Sequence, residues 1–236
     1  MTPAVSSGDG HRLVLFDIDG TLLSSGRAAR DSVLAALESV YGWSGPADAH
    51  DFAGKTDPQI VRELVAGWIG PDRCEAQLPR ALETYLEEFS RRLTPEAVRP
   101  KPGIPELLAR LAREPRATLG LLTGNLERGA RMKLAPPGFN RYFPFGAFGS
   151  DSPDRYCLPR IAVERARDST GRDFAGKQIV IVGDSIHDVA CGRSLGVRSV
   201  AVATGPTPAA RLREENPDAF FPDFSDVPRA MEAILL

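Results

Sequence analysis

The sequence has few cysteines, and their arrangement argues against two classes of protein. Cys74, Cys157 and Cys191 are far apart in a chain of 236 residues, odd in number and in no C-x-x-C pair. A disulfide framework needs paired cysteines, and a thiolate metal site needs closely spaced ones. We therefore expect a protein of the reducing cytoplasm that carries neither feature.

Long apolar runs and an excess of charge of either sign are also absent. No stretch reaches the ~18 apolar residues of a membrane-spanning helix, and the segment from Met1 to His11 lacks a basic region followed by a long apolar core. The 29 basic and 31 acidic residues give a net charge of -2. We therefore expect no export, no membrane insertion and no nucleic-acid partner, and a small molecule as the ligand.

What the chain does contain is a series of short apolar runs separated by helical patterns. The four clearest runs are Leu13–Phe16, Leu119–Leu122, Ile179–Val182 and Val197–Ala203. Runs of this length that end in Gly, Asp or Thr are typical of buried parallel strands joined by crossover helices. The sequence predicts an α/β fold with a Rossmann-like, doubly wound parallel sheet. Phe145–Phe148 is a weaker strand candidate, and a last helix is predicted over Val227–Leu236.

Roughly a hundred residues separate the first two predicted strands, far more than the dozen or so that a parallel crossover needs. Apolar residues at helical spacing predict three amphipathic helices there, over Val33–Tyr41, Ile60–Ile69 and Leu78–Leu93. We interpret residues 24–100 as an inserted helical cap domain and residues 1–23 and 101–236 as the core. The hinges are expected at residues 24–26 and 100–103. Packing of these helices on the face of the sheet stays open as an alternative.

The strongest chemical signal follows the first predicted strand, where residues 17–21 read D-I-D-G-T. While the chain stays extended, Asp17 and Asp19 point to the same face. Gly20 then permits a sharp turn and a close approach of the backbone to an anion. Ordinary turn residues are the alternative, because Asp and Gly are common in turns. A calcium loop does not fit the ligand spacing.

The second predicted strand also ends in polar residues, Thr123, Gly124 and Asn125. A hydroxyl, a glycine without side-chain bulk and an asparagine suited to cap the next helix would form a cradle of O–H and N–H donors for phosphate. A plain strand, turn and helix cap would look the same.

A third signal follows the strand Ile179–Val182. Asp184 lies at its end, and Asp188 lies one helical turn later on the same side of the following helix. This spacing fits a metal site. The alternative is that Asp184 or Ser185 caps the helix while Asp188 is solvated.

The three signals are expected to meet, because ligands of open α/β sheets bind beyond the carboxyl ends of the strands. Four carboxylates in one crevice would repel each other at neutral pH unless a hard divalent cation compensated them. Oxygen ligands favour Mg²⁺ over zinc in that role. The predicted metal ligands are Asp17, Asp19, Asp184 and Asp188.

From about Leu13 to Thr204, these motifs resemble the haloacid dehalogenase superfamily, and in particular its phosphoglycolate-phosphatase-like members with a helical cap after the first motif. The resemblance implies that Asp17 attacks phosphorus to form an aspartyl-phosphate. It also implies that Asp19 protonates the leaving oxygen and later activates water.

The same resemblance assigns the remaining roles. Thr123 would hold the phosphoryl group, with Gly124 and Asn125 beside it. Asp17, the backbone carbonyl of Asp19 and Asp184 would bind Mg²⁺, and Asp188 would support them.

The chain departs from the family pattern at one position. Members usually carry a lysine in a Lys-Pro pair before the last motif, where this chain reads Asp154-Arg155-Tyr156. Arg155 is the predicted replacement, because its guanidinium offers the same charge in a planar fork. Arg160 and Lys177 are alternatives, although Lys177 is expected at the surface because it lies at the opposite end of the strand from Asp184.

In the predicted cap, residues 52–57 form a short loop before the second helix, with Thr56 or Asp57 as candidate N-cap. Lys55 is predicted to contact the part of the substrate that does not react. The aromatic residues expected in the core of the cap are Trp43, Trp68 and Tyr85.

The leading hypothesis is a Mg²⁺-dependent phosphatase that acts on a small phosphorylated metabolite, with phosphoglycolate as the default that the resemblance implies. A sugar phosphomutase and a non-catalytic module that binds a phosphorylated ligand are the alternatives. Dehalogenation is disfavoured, since it needs neither an acid at Asp19 nor Mg²⁺. The sequence leaves open whether the protein is a monomer or a homodimer.

Overall fold

The computed structural model describes residues 10–236. The strands are β1 (Arg12–Phe16), β2 (Leu23–Ser24), β3 (Arg99–Pro100), β4 (Ala117–Leu122), β5 (Gly146–Ala147), β6 (Ile179–Gly183), β7 (Arg198–Val202) and β8 (Ala219–Phe221). The helices are α1 (Ala28–Tyr41), α2 (Asp57–Val65), α3 (Pro71–Arg92), α4 (Ile104–Leu111), α5 (Glu127–Leu134), α6 (Leu158–Thr170), α7 (Ile186–Cys191), α8 (Ala209–Glu214) and α9 (Val227–Leu235).

Six strands form one parallel sheet in the order β5-β4-β1-β6-β7-β8. Phe16 at the end of β1 is in register with Leu121 of β4 on one side and with Val182 of β6 on the other. The carboxyl ends of these three strands therefore lie side by side. The strand order reverses at β1, which is where doubly wound sheets bind their ligands. The α/β fold predicted from the apolar runs is confirmed.

Both faces of the sheet are covered by helices, because alternate residues of each buried strand point to opposite sides. Val14 and Phe16 pack on one face with apolar residues of α4, α5 and α9, and Leu13 and Leu15 pack on the other with residues of α6. All four side chains are fully buried. β5 is shorter than the strand predicted over 145–148, since only Gly146 and Ala147 pair with β4.

Helices α1, α2 and α3 enclose a hydrophobic cluster of their own, distinct from the two clusters on the sheet. β2 and β3 pair antiparallel, so the chain leaves and re-enters the sheet region side by side. This arrangement is consistent with a cap, and the exact division at residues 24 and 100 stays a prediction.

Of the three aromatic residues expected in the core of the cap, Trp43 and Trp68 are not part of its buried cluster. Tyr85 is 2% exposed, but Trp68 is 57% exposed and lies against Trp43 with ring centres 5.4 Å apart. The prediction for Trp68 is wrong because α2 ends at Val65, three residues before it, so Trp68 is not on the apolar stripe of that helix.

Among the described residues, no helix combines the length and the apolar character needed to cross a membrane. The prediction about the segment from Met1 to His11 lies mostly outside the described residues. A cytoplasmic location stays a prediction.

Candidate active site

Three carboxylates from two neighbouring strand ends come together at the carboxyl edge of the sheet. One oxygen from each of Asp17, Asp184 and Asp188 lies within 4.8 Å of the others, and all three residues are buried. We call these three residues the acidic cluster. Asp17 directly follows β1, and Asp184 directly follows the adjacent β6, so the pairing of two parallel strands places them together.

The start of α7 fixes the position of Asp188. Ser185 is the N-cap, and its hydroxyl accepts a hydrogen bond from the Asp188 backbone N–H at 3.2 Å. In return, Oδ2 of Asp188 accepts from the backbone N–H of Ser185 at 2.9 Å and from its hydroxyl at 2.6 Å. Asp188 is 2% exposed, so the alternative of a solvated side chain is wrong.

Asp184 is packed against glycine on two sides. A side chain at Gly20 or at Gly205 would overlap its carboxylate, and Gly20 has a φ of +86° that L residues rarely adopt. Oδ1 of Asp184 also accepts from the Thr21 hydroxyl at 2.8 Å. Glycine was expected at position 20 because it lets the backbone approach an anion. The structure shows a second requirement for glycine there, because the Asp184 carboxylate occupies the space of a Cβ.

Arg155 is the basic residue that reaches the acidic cluster. Its guanidinium is 3% exposed, and Nη2 donates to Asp17 Oδ1 at 3.2 Å and to Asp188 Oδ1. The two alternatives lie elsewhere. Arg160 is exposed, and Lys177 pairs with Asp218 at 2.6 Å on the surface, as its place at the start of β6 predicted.

Asp19 has a different partner, which the sequence analysis missed. Nζ of Lys133 donates to Asp19 Oδ2 at 2.5 Å and to Asn125 Oδ1 at 2.6 Å. The Lys133 side chain is 2% exposed, and its ammonium lies 5.6 Å from the centre of the Phe89 ring. A signal was present, because Lys133 falls three residues after the buried Ala130 and so lies on the apolar stripe of α5.

Asn125 does not cap α5 as expected. Its Nδ2 donates to Asp19 Oδ2 and to Thr123 Oγ1, both at 2.8 Å, while Leu126 is the N-cap. The Asn125 side chain therefore orients Asp19 and Lys133. The buried Thr123 hydroxyl accepts from Asn125 and keeps its own proton for another acceptor.

The loop at residues 52–57, which we call the cap loop, closes over this edge. Thr56 is the N-cap of α2 and accepts from the Gln59 backbone N–H at 3.2 Å, so Asp57 is not the cap. Lys55 borders the cavity, but its ammonium donates to Glu63 Oε2 at 2.6 Å. Contact between Lys55 and a substrate stays a prediction.

These groups line a cavity of about 540 Å³ between the helices of residues 28–92 and the edge of the sheet. The polar end holds Asp17, Asp19, Thr123 and Arg155. The opposite wall is largely apolar, and its side chains include Ala29, Val33, Phe52, Ile60 and Tyr85. The volume lies in the range of small-molecule sites.

The electrostatics of the polar end fit a bound divalent cation. Burial, with a smaller contribution from Asp188, raises the pKa of Asp17 to about 7 although Arg155 opposes the shift. Burial and the neighbouring Asp17 also raise the pKa of Asp184 well above its ordinary value. When the acidic cluster is ionised, its three carboxylates face the one guanidinium of Arg155, which leaves two negative charges uncompensated. A divalent cation on the three oxygens of the acidic cluster would remove this excess.

Comparisons with known proteins agree with this geometry. The model of the haloacid dehalogenase-like hydrolase family matches residues 14–202. A phosphoglycolate phosphatase from Pseudomonas fluorescens is 30% identical over 225 residues, which cover 90% of this chain and 76% of that protein.

Two solved structures share the fold. A predicted phosphoglycolate phosphatase from Haemophilus somnus superposes with a TM-score of 0.70 at 22% identity, covering 94% of this chain and 98% of that one. A protein described as a β-phosphoglucomutase from Thermotoga maritima gives 0.62 at 19% identity, covering 94% and 99%. At such low identity these likenesses show the fold alone.

Proposed function

Because this chain is a phosphatase of the haloacid dehalogenase-like hydrolase family, we propose that it hydrolyses the phosphate monoester of a small metabolite, with Asp17 as nucleophile and Mg²⁺ as cofactor. The observation that carries the proposal is the acidic cluster, in which the Asp17 carboxylate lies within 4.8 Å of Asp184 and Asp188. The name of the Pseudomonas fluorescens relative supports phosphoglycolate as the first substrate to test.

In the first step, a carboxylate oxygen of Asp17 forms a bond to phosphorus while the bond from phosphorus to the ester oxygen breaks. Arg155 holds Asp17 in place, and the Thr123 hydroxyl donates to an oxygen of the transferring group. Asp17, Asp184 and Asp188 would hold Mg²⁺, with the Asp19 carbonyl as a further expected ligand, and the bound ion would supply positive charge beside that group.

Asp19 is proposed to carry the proton in both steps. Lys133 and Asn125 both donate to its Oδ2, which leaves Oδ1 to exchange the proton. Oδ1 first gives a proton to the leaving oxygen. It then takes one from the water that attacks the aspartyl-phosphate, so phosphate and free Asp17 are released.

Purified protein tests the proposal with phosphoglycolate, p-nitrophenyl phosphate and a panel of some dozens of metabolite esters. We expect phosphate release that needs Mg²⁺ and stops with a chelator, and a covalent phosphate on Asp17 after an acid quench. Asp17→Asn should lower the rate by ~10³-fold or more. Asp168→Asn, which changes an exposed carboxylate of α6, is the control that should keep the rate.

Other outcomes separate the alternatives. Full activity of Asp17→Asn, or turnover without any divalent ion, would contradict the mechanism. A requirement for a sugar bisphosphate would indicate a phosphomutase. Phosphate binding without turnover across the whole panel would indicate a non-catalytic module.

A further inference from the structure

Helix α5 carries Lys133 near its end, and its beginning has no cap of its own. Leu126 is the N-cap residue, and its side chain makes no capping bond. The backbone N–H groups of the first turn have no partner inside a helix and must find one elsewhere. Here the N–H of Leu126 donates to Oδ2 of Asp57 in the cap loop at 2.8 Å, and the N–H of Glu127 donates to Oγ of Ser150 at 3.3 Å.

The cap loop is seated on the core by two further hydrogen bonds. The backbone N–H of Asp57 donates to the Gly124 carbonyl at 2.8 Å, and the Thr56 hydroxyl donates to the Pro153 carbonyl at 2.7 Å. The fit is tight, because a side chain at Gly124 would overlap the carbonyl of Lys55. Asp57 is thus fixed against the start of α5 by both its backbone and its carboxylate.

The position of Asp57 disfavours the ionised form of its carboxylate through burial. Capping of α2 does not account for this position. Thr56 already caps α2. Burial raises the pKa of Asp57 to about 6, although the nearby Lys133 and the Leu126 N–H oppose the shift. The Asp19 carboxylate adds to the raised pKa of Asp57, and Asp57 in turn adds to the raised pKa of Tyr85. A carboxylate kept in such surroundings indicates a role at the site.

We propose that Asp57 is a positioning residue that couples the seating of the cap loop to the placement of Lys133 and, through Lys133, to the orientation of Asp19. The carboxylate holds the first turn of α5, also favoured by the positive end of the helix dipole. The eight residues of α5 form a short rigid connection from that turn to the ammonium that donates to Asp19. The proposal rests on the proposed function, since the role of Asp19 comes from it.

A double-mutant cycle on turnover is the first test. Asp57→Ala should lower kcat for p-nitrophenyl phosphate by about ten- to a hundredfold, the loss expected from a small misplacement of a catalytic group, and change KM by less than about threefold. In the Lys133→Met background, Asp57→Ala should cost almost nothing further, because Asp57 acts through Lys133. Losses that multiply would overturn the proposal.

Asp51→Asn is the matched control, because Asp51 lies in the segment next to the cap loop and, within residues 10–236, accepts only a local hydrogen bond from the backbone of Ala53. Its kcat should stay within twofold of wild type, and a loss as large as that of Asp57→Ala would point to a general disturbance of the loop.

Amide hydrogen exchange tests the same idea without turnover. Asp57→Ala should speed exchange over residues 127–134 by at least about tenfold, whereas Asp51→Asn should not. Unchanged exchange in α5 overturns the proposal. A wild-type protein with no phosphatase activity would instead contradict the proposed function, so the two failures are distinguishable.

Discussion

The acids at the carboxyl edge of the sheet form two groups that reach charge balance differently. The acidic cluster of Asp17, Asp184 and Asp188 shares the single guanidinium of Arg155. Asp19 has an ammonium of its own from Lys133. The first group therefore has an excess of negative charge that a divalent cation would remove, whereas Asp19 already has a cationic partner.

This difference separates two tasks that a phosphatase must perform. Binding a metal requires excess negative charge, whereas moving a proton requires a carboxylate that is held in a fixed orientation and can both give and take a proton. The two groups also take their cations from different elements, since Arg155 lies just before α6 and Lys133 lies in the last turn of α5.

Lys133→Met is expected to have the largest effect. It leaves Asp19 with Asn125 as its only described partner, so kcat should fall by about 10²- to 10³-fold. The affinity for Mg²⁺, measured by calorimetry, should stay within about twofold because Lys133 makes no hydrogen bond to the acidic cluster. Lys177→Met, a surface lysine substituted in the same way, should leave both values unchanged. An equal loss of metal affinity would show that the two groups are not separate.

Arg155 tests the other group with two substitutions. Arg155→Lys keeps the charge but shortens the side chain whose Nη2 reaches both Asp17 and Asp188, so kcat should fall by about tenfold. Arg155→Met should lower kcat by about a hundredfold and, because a competing positive charge is removed, tighten Mg²⁺ binding. The exposed Arg160→Met is the control. Weaker metal binding by Arg155→Met would contradict the charge argument.

The acidic cluster was predictable because local sequence determines it. An apolar strand followed by an acid places that acid at the carboxyl edge, and one parallel sheet brings Asp17 and Asp184 together wherever the rest of the chain goes. Asp188 was predictable from one helical turn. The position of β1 between β4 and β6 was not predicted and comes from the structure.

The second group was not predictable because it depends on distant packing. Lys133 has ordinary neighbours in the sequence, and its burial arises where α5 meets Phe89 of α3. Asn125 looked like a helix cap, but Asp57, which is 69 residues from Leu126, takes part in that role and frees Asn125 for Asp19. The sequence correctly indicated that Asn125 forms side-chain hydrogen bonds at this strand end. Tertiary contacts, however, direct those bonds to Asp19 and Lys133 instead of to the start of α5.

A smaller effect concerns the stability of the chelated protein. The raised pKa of Asp17, from 3.8 to about 7, means that the folded chain holds this proton more tightly than the unfolded chain. Stability of the metal-free protein should therefore fall as pH rises between about 4 and 7, and Asp184 adds an effect of the same sign.

Thermal unfolding in a chelator should give a Tm several degrees lower at pH 8 than at pH 5.5. Asp17→Asn should reduce that difference, and Asp168→Asn should not, because its side chain is 74% exposed. Mg²⁺ should raise Tm most at pH 8. A higher Tm at pH 8 than at pH 5.5 in the chelator would contradict the inference that burial and neighbouring carboxylates raise the pKa of Asp17 and Asp184.

The smallest change in kinetics is expected for substitution of Lys55. It tests whether the cap loop contributes a charged substrate contact in addition to the acidic cluster and the Asp19–Lys133 pair. Its ammonium is already held by Glu63 at 2.6 Å and its side chain is 18% exposed, so Lys55→Met should change KM for phosphoglycolate by less than about threefold. Glu63→Gln sharpens the test, because it releases the ammonium towards the cavity and should lower KM for this anionic substrate while leaving KM for p-nitrophenyl phosphate unchanged. If Lys55→Met instead raised KM for phosphoglycolate tenfold and left the neutral-tailed ester unaffected, Lys55 would be a substrate contact. The ion pair with Glu63 would then have to open when substrate binds.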